Sequence, residues 1–154
     1  MHRAIEGLGR GRTGENLKQY LRAVARDEGL GSTLEEITAE GEKLFAVLER
    51  LQALPEWQAL MASGDRRFEC RVARCEDGPD GRVLTEGTID AAYIKDGAWT
   101  VLDWKTDSVV DTEWAAREAG YQAQVARYVE VLVALGEKTV EGRVVRVRTA
   151  PEEE

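Results

Sequence analysis

The stretch "GTIDAAYIKDGAWTVLDWKT", Gly87 to Thr106, decides the fold. Two runs rich in apolar and aromatic residues, Gly87–Ile94 and Ala98–Thr106, flank the tight-turn tripeptide "KDG". That pattern predicts a β-hairpin. Each run also carries something that a strand interior resists: Asp90 in the first, Asp103 and Lys105 in the second. Charged side chains inside apolar strands cost stability unless they are paired, solvated or bound to a metal. Gly87 and Ile89 before Asp90, and Val101 and Leu102 before Asp103, mark interior strands rather than edges.

Asp103 and Lys105 are two apart, so in a strand both side chains leave the same face. A hairpin lays the two strands side by side and lets Asp90 and Asp103 converge, with Lys105 one pleat away. Two hard carboxylates near a point cation suit Mg²⁺ or Mn²⁺. Such an ion polarises a phosphoryl oxygen and acidifies a bound water. The lysine would orient that water or offset charge building on phosphorus. This set fits phosphodiester hydrolysis. The competing reading is an Asp–Lys ion pair on a solvated sheet face, which is common and contributes little.

Outward from the hairpin, "RRFECRVARC" (66–75) alternates, with Phe68, Cys70 and Val72 on one face, and "EDGPDG" (76–81) is turn chemistry. Strands at 66–75, 82–94 and 98–106 make a three-stranded antiparallel meander. Upstream the period is helical. Helices are expected at His2–Glu6 and Glu15–Asp27. A third runs Thr33–Leu54, opened by a Ser32/Glu35 capping box, and a short fourth begins at Pro55 and ends by Gly64. Downstream of "DSVVD" (107–111), Trp114, Tyr121, Val125, Tyr128 and Leu132 share one stripe of a helix reaching Leu135. "TVEGRVVRVRT" (139–149) reads as a last strand. The expectation is one α/β domain over residues 1–150. Its helical part covers 1–64, a mixed sheet with its helix covers 66–149, and an acidic tail follows at 151–154.

The 154 residues suit one domain, and 43 % hydrophobic content is enough to close a core. The formal net charge is -8. An independent nucleic-acid binder is usually basic. The chain therefore either grips no polyanion alone, or recruits cations and relies on a neighbour to deliver the substrate. Cys70 and Cys75 are too few for a structural zinc or a cluster and read as reduced thiols. No run is long enough to span a membrane, and "MHRAIEGLGRGRTGENL" lacks the apolar core of a signal peptide, so the expected compartment is the cytoplasm.

The central stretch resembles the G-x-(I/V)-D…D-(Y/W)-K-T block of RecB-type nucleases in the PD-(D/E)xK superfamily. Gly87, Ile89, Asp90, Asp103, Lys105 and Thr106 match in order, with Trp104 where tyrosine is more usual. "YQAQVARYVEVL" resembles the family's Q-x-x-x-Y helix through Gln124 and Tyr128. "MHRAIE" resembles the end of its G-x-x-x-H-x-x-L/I-E helix through His2, Ile5 and Glu6, without the leading glycine. "RRFECRV" resembles its first strand, with Glu69 at the acidic position.

The resemblance implies a restriction-endonuclease-like core. It makes Asp90 and Asp103 metal ligands, joined by His2 and the Trp104 carbonyl, and Lys105 the catalytic lysine. Gln124 and Tyr128 would orient the site or the DNA backbone. For individual residues other readings stay open: His2 as a remnant at a chain start, Tyr128 as pure core, and Glu69 paired with Arg66, Arg67 or Arg71. The four-cysteine cluster of some relatives is absent, so no iron–sulfur centre is expected.

The resulting functional expectation is a Mg²⁺- or Mn²⁺-dependent DNA nuclease acting on single strands. Such a module sits at the C-terminus of RecB- or AddA-type helicase-nucleases in double-strand-break repair, where a helicase domain or subunit feeds it DNA. Two other readings are a non-catalytic scaffold that kept the fold and a stand-alone exonuclease of the CRISPR-adaptation type.

Overall fold

The computed structural model describes residues 1–106 and 111–148. The expected loop at 107–110, the end of the last strand past residue 148 and the acidic tail lie outside the described residues. The chain forms two compact units, the first built mainly on Met1–Gln58 and the second on Ala59–Lys105 with the helix and strand that follow.

The first unit carries α1 (His2–Gly9), α2 (Gly14–Asp27) and α3 (Leu34–Ala53); α4 (Pro55–Ala62) follows in sequence. Each of the first three hides an apolar stripe: Ile5 and Leu8; Leu17, Leu21 and Val24; Leu44, Val47, Leu48 and Leu51. The first helix runs past the expected end at Glu6 as far as Gly9. Gly7 does not break it, because the Tyr20 ring packs where a Cβ would stand.

The capping box is one residue later than the sequence suggests. Thr33 is the N-cap of α3 and its side chain accepts from the Glu36 N–H at 3.2 Å. Glu36 Oε2 accepts from the N–H of Thr33 at 3.0 Å and of Ser32 at 2.7 Å. Both Ser32–Glu35 and Thr33–Glu36 satisfy the motif; the second frame satisfies two backbone donors with one carboxylate. Those two bonds hold the Glu36 carboxyl below the usual glutamate range.

The second unit is a four-stranded mixed sheet in the order β1-β2-β3-β4, with helices accompanying it: an α/β fold of the restriction-endonuclease-like type. β1 (Arg66–Gly78), β2 (Gly81–Lys95) and β3 (Ala98–Lys105) form the expected antiparallel meander. α5 (Asp111–Ala134) carries the chain across to β4 (Val140–Arg146), which lies parallel to β3. A parallel neighbour requires such a crossover. The two strands that carry Asp90 and Asp103 are therefore the interior pair.

The first hairpin is longer than expected. Pairing continues through Glu76 and Asp77 to Gly78↔Gly81, so the turn narrows to Pro79 and Asp80. Gly81, at φ 126°, supplies a backbone conformation that other residues rarely adopt. Past the reach of β3, this two-stranded ribbon leaves Val83 and Leu84 exposed.

β1 keeps one register against β2, pairing Phe68 with Ala91, Cys70 with Ile89 and Val72 with Gly87, while its backbone departs from ordinary strand geometry at Glu69. Glu69 has φ 52°. Ile89 and Ala92 are three apart, yet both join Val101 in the core cluster that Tyr128, Leu132, Cys70 and Val72 cover. Strict alternation would send one of them to the opposite face. A non-glycine residue held in the left-handed region costs about 1–3 kcal/mol, and such strain clusters at functional sites.

Candidate active site

β3 ends in Asp103, Trp104 and Lys105. Val101 faces the core beneath α5, so Asp103 and Lys105, two and four residues on, share that face. Lys105 Nζ lies 2.7 Å from Asp103 Oδ2 and donates to Gln124 Oε1 of α5 at 3.0 Å. Gln124 Nε2 in turn donates to the Tyr128 hydroxyl at 3.1 Å. One chain of contacts thus runs Asp103–Lys105–Gln124–Tyr128. The sequence supplies it through two periods: two residues along a strand, four along a helix.

Asp90 reaches the same region from the neighbouring strand. Its Oδ2 accepts from the backbone N–H of Trp104 at 2.8 Å. The β2–β3 pairing ends at Ala91 with Leu102, the residues next to Asp90 and Asp103 in their strands. Both are buried, at 7 % and 1 % relative exposure. A carboxylate oxygen of Glu69 stands within 4.8 Å of one of Asp90. Like charges facing each other across a ladder are destabilising.

Carboxylate oxygens such as these are hard donors of the kind that suit a small divalent cation. His2 opens α1 in the first unit and is exposed.

Two features of the site were not anticipated. Gly87 is glycine for a spatial reason: a Cβ there would lie 2.7 Å from Tyr128 Cε1. The ring therefore rests against β2 and its hydroxyl stays with Gln124. Tyr121, read from the sequence only as part of an apolar stripe, also carries its ring to Lys105, whose Nζ is 4.8 Å from the centroid. Trp114, two turns earlier, stacks near Tyr121 at 5.5 Å and carries Arg146 at 4.7 Å from its own centroid. An aromatic at helical spacing signals core by its apolar body; nothing in that spacing shows which cation shares its face.

The interior strands β2 and β3 thus carry the buried Asp90 and Asp103, with Lys105 beside Asp103. The chain belongs to the PD-(D/E)XK nuclease superfamily, whose family profile matches residues 1–153. In structure it is similar to a crystal structure described as "Putative exonuclease" from Eubacterium rectale, with TM-score 0.56 and 14 % identity. The match covers 89 % of this chain and 53 % of that one, so the chain spans about half the length of that protein. No curated protein matches it in sequence. Among the described residues no helix is long and apolar enough to cross a membrane.

Proposed function

We propose that the chain is a Mg²⁺- or Mn²⁺-dependent deoxyribonuclease of the RecB type that cuts single-stranded DNA. In this reading it is a cytoplasmic module of a helicase-nuclease in double-strand-break repair, and its acidic balance is tolerable because a motor delivers the strand. The observation that carries the reading is Lys105, held between Asp103 at 2.7 Å and Gln124 at 3.0 Å beside the buried Asp90.

In this assignment Asp90 and Asp103 hold the cation, with the Trp104 carbonyl and His2 as further ligands on the strength of the family resemblance. The cation would polarise a phosphoryl oxygen and supply a more acidic water. Lys105 offsets the charge that develops on the phosphoryl oxygens and orients the attacking water. The Asp103 carboxylate and the Gln124 carbonyl fix the direction of its Nζ. Tyr128 fixes Gln124 through the amide nitrogen, which leaves the amide oxygen for the lysine. Asp90 anchors the β3 backbone at Trp104 and so holds Asp103 and Lys105 in register with it.

The test is degradation of a labelled single-stranded oligonucleotide with Mg²⁺ or Mn²⁺. Asp103→Ala and Lys105→Ala should each abolish cleavage, and calorimetry should show a Mn²⁺ isotherm that Asp90→Asn removes. Full activity in either alanine variant, with contaminating nuclease excluded, defeats the assignment.

A further inference from the structure

Lys105 has a like-charged neighbour in the sheet. The parallel pairing of β3 with β4 sets Arg146 against Lys105. Residues in register on adjacent strands leave the same face, and like charges side by side there repel. Both side chains are largely withdrawn from water, at 18 % and 15 % exposure, so solvent screens them little.

α5 answers both cations with one stripe of side chains. Arg146 Nη1 lies 2.6 Å from Asp111 Oδ1, and its guanidinium stands 4.7 Å from the Trp114 centroid. Asp111 and Trp114 are three apart on the helix and so grip the same group together. Two turns on, the Tyr121 ring lies under Lys105 Nζ. The two rings meet at 5.5 Å and 46°, within the range of favourable tilted aromatic pairs. A continuous row thus runs Asp111–Arg146–Trp114–Tyr121–Lys105.

The ammonium therefore has support from two sides of α5. On one side Tyr128 fixes Gln124, and Gln124 accepts from Nζ. On the other, Tyr121 meets Nζ and is itself backed by the indole. We propose that Trp114 and Arg146 are positioning residues for Lys105. Arg146, anchored on Asp111, holds the indole; the indole holds the phenol ring; the ring limits where the ammonium can swing. The proposal rests on the nuclease reading for what Lys105 does. It adds two residues, one on α5 and one on β4, that no sequence motif singles out.

The test pairs a rate with a measurement that needs no turnover. Protons lying over an aromatic ring resonate upfield, so the Lys105 ε-methylene protons, followed by NMR on the whole chain, report the Tyr121 contact. They should lie upfield of those of the exposed Lys43, and Tyr121→Leu should remove the difference. Trp114→Leu and Arg146→Gln should each reduce it, and Trp114→Phe, which keeps a ring, should restore it. With single-stranded DNA and Mg²⁺, Trp114→Leu and Arg146→Gln should lower kcat by about 2- to 5-fold and leave KM unchanged. Trp114→Phe should stay near the parental rate. On a Tyr121→Leu background, Trp114→Leu should change kcat by less than about twofold, because the link it acts through is gone.

A Lys105 signal that is not upfield in the parent, or that Trp114→Leu and Arg146→Gln leave in place, overturns the proposal. So do losses of kcat that multiply in the double variant. A KM that rises with kcat unchanged overturns it too, since these residues would then touch the strand rather than aim the lysine. Should Trp114→Leu not fold, Arg146→Gln at the end of β4 carries the same test. The expected NMR responses in a chain that cuts no DNA support the row and defeat the nuclease reading, so the two ideas fail separately.

Discussion

Gly87→Ala tests how the site is built, because two effects of opposite sign meet there. In a strand interior, replacing glycine by alanine is favourable by about 0.5–1 kcal/mol, since the glycine gives up more backbone freedom on folding. At residue 87 the new Cβ would stand 2.7 Å from Tyr128 Cε1 and 3.4 Å from its hydroxyl oxygen. Ordinary carbon contacts begin near about 3.5 Å, so the ring must retreat by most of an ångström. Overpacking of this kind costs about 1–3 kcal/mol. The retreat also strains the 3.1 Å bond from Gln124 Nε2 to the Tyr128 hydroxyl, worth about 0.5–1.5 kcal/mol.

The unfavourable side wins, by about 0.5–4 kcal/mol net. For a chain of this size each kcal/mol moves Tm by about 2–4 °C, so the melting temperature should fall by about 1–16 °C. Thermal denaturation followed by circular dichroism measures it. Gly120→Ala is the control: Gly120 lies on exposed α5 with open space where its Cβ would be. There only helix propensity acts, and Tm should rise by the equivalent of about 0.8–1 kcal/mol. If Gly87→Ala also raised Tm, the account of Tyr128 seated against β2 would be wrong.

Two further outcomes follow from the same geometry. Tyr121→Leu removes the ring under Lys105 while keeping an apolar body. A cation–π contact of about 0.5–2 kcal/mol corresponds to a fall in kcat of about 2- to 30-fold. Tyr121→Phe should retain near-parental kcat, and equal rates for Leu and Phe would show that the ring does not hold the lysine. The Glu36 cap gives a pH test. Its folded carboxyl titrates below the ordinary value of about 4.3, so the stability it contributes is fully present above that value and is lost as pH falls through the lowered one. Urea denaturation of the parent and Glu36→Ala should show a gap that is constant near neutrality and closes in acid. A gap that persists unchanged into strong acid would remove the carboxylate from the cap.

What the sequence revealed, and what it hid, divides by physical cause. The meander, the crossover helix and the last strand were legible because each rests on a local signal: a period of two, a period of 3.6, or turn residues. Asp90, Asp103 and Lys105 stood out because charge inside apolar strands is expensive and needs a reason. The left-handed backbone of Glu69 was not legible, because such a conformation is set by the contacts on either side of the residue. The frame of the α3 cap was ambiguous because two overlapping tetrapeptides both satisfy the motif. The extra length of the first hairpin was hidden by Glu76 and Asp77, poor strand formers that pair because the register is already fixed below them.

Tyr128 shows why the choice between core and site residue can be a false one. Its position on the stripe with Val125 and Leu132 admits a purely structural role. Its spacing from Gln124 admits a polar one. In the structure the ring packs against the Ile89 cluster while the hydroxyl accepts from Gln124. A phenol is an apolar body with a polar tip, so one residue can satisfy both demands if the backbone opposite gives it room. Gly87 gives that room, which couples the packing of α5 on the sheet to the orientation of Lys105 through two side chains. Any substitution that moves the ring must therefore register in stability and at the lysine together, and one that cuts only the hydroxyl must register at the lysine with the core left standing.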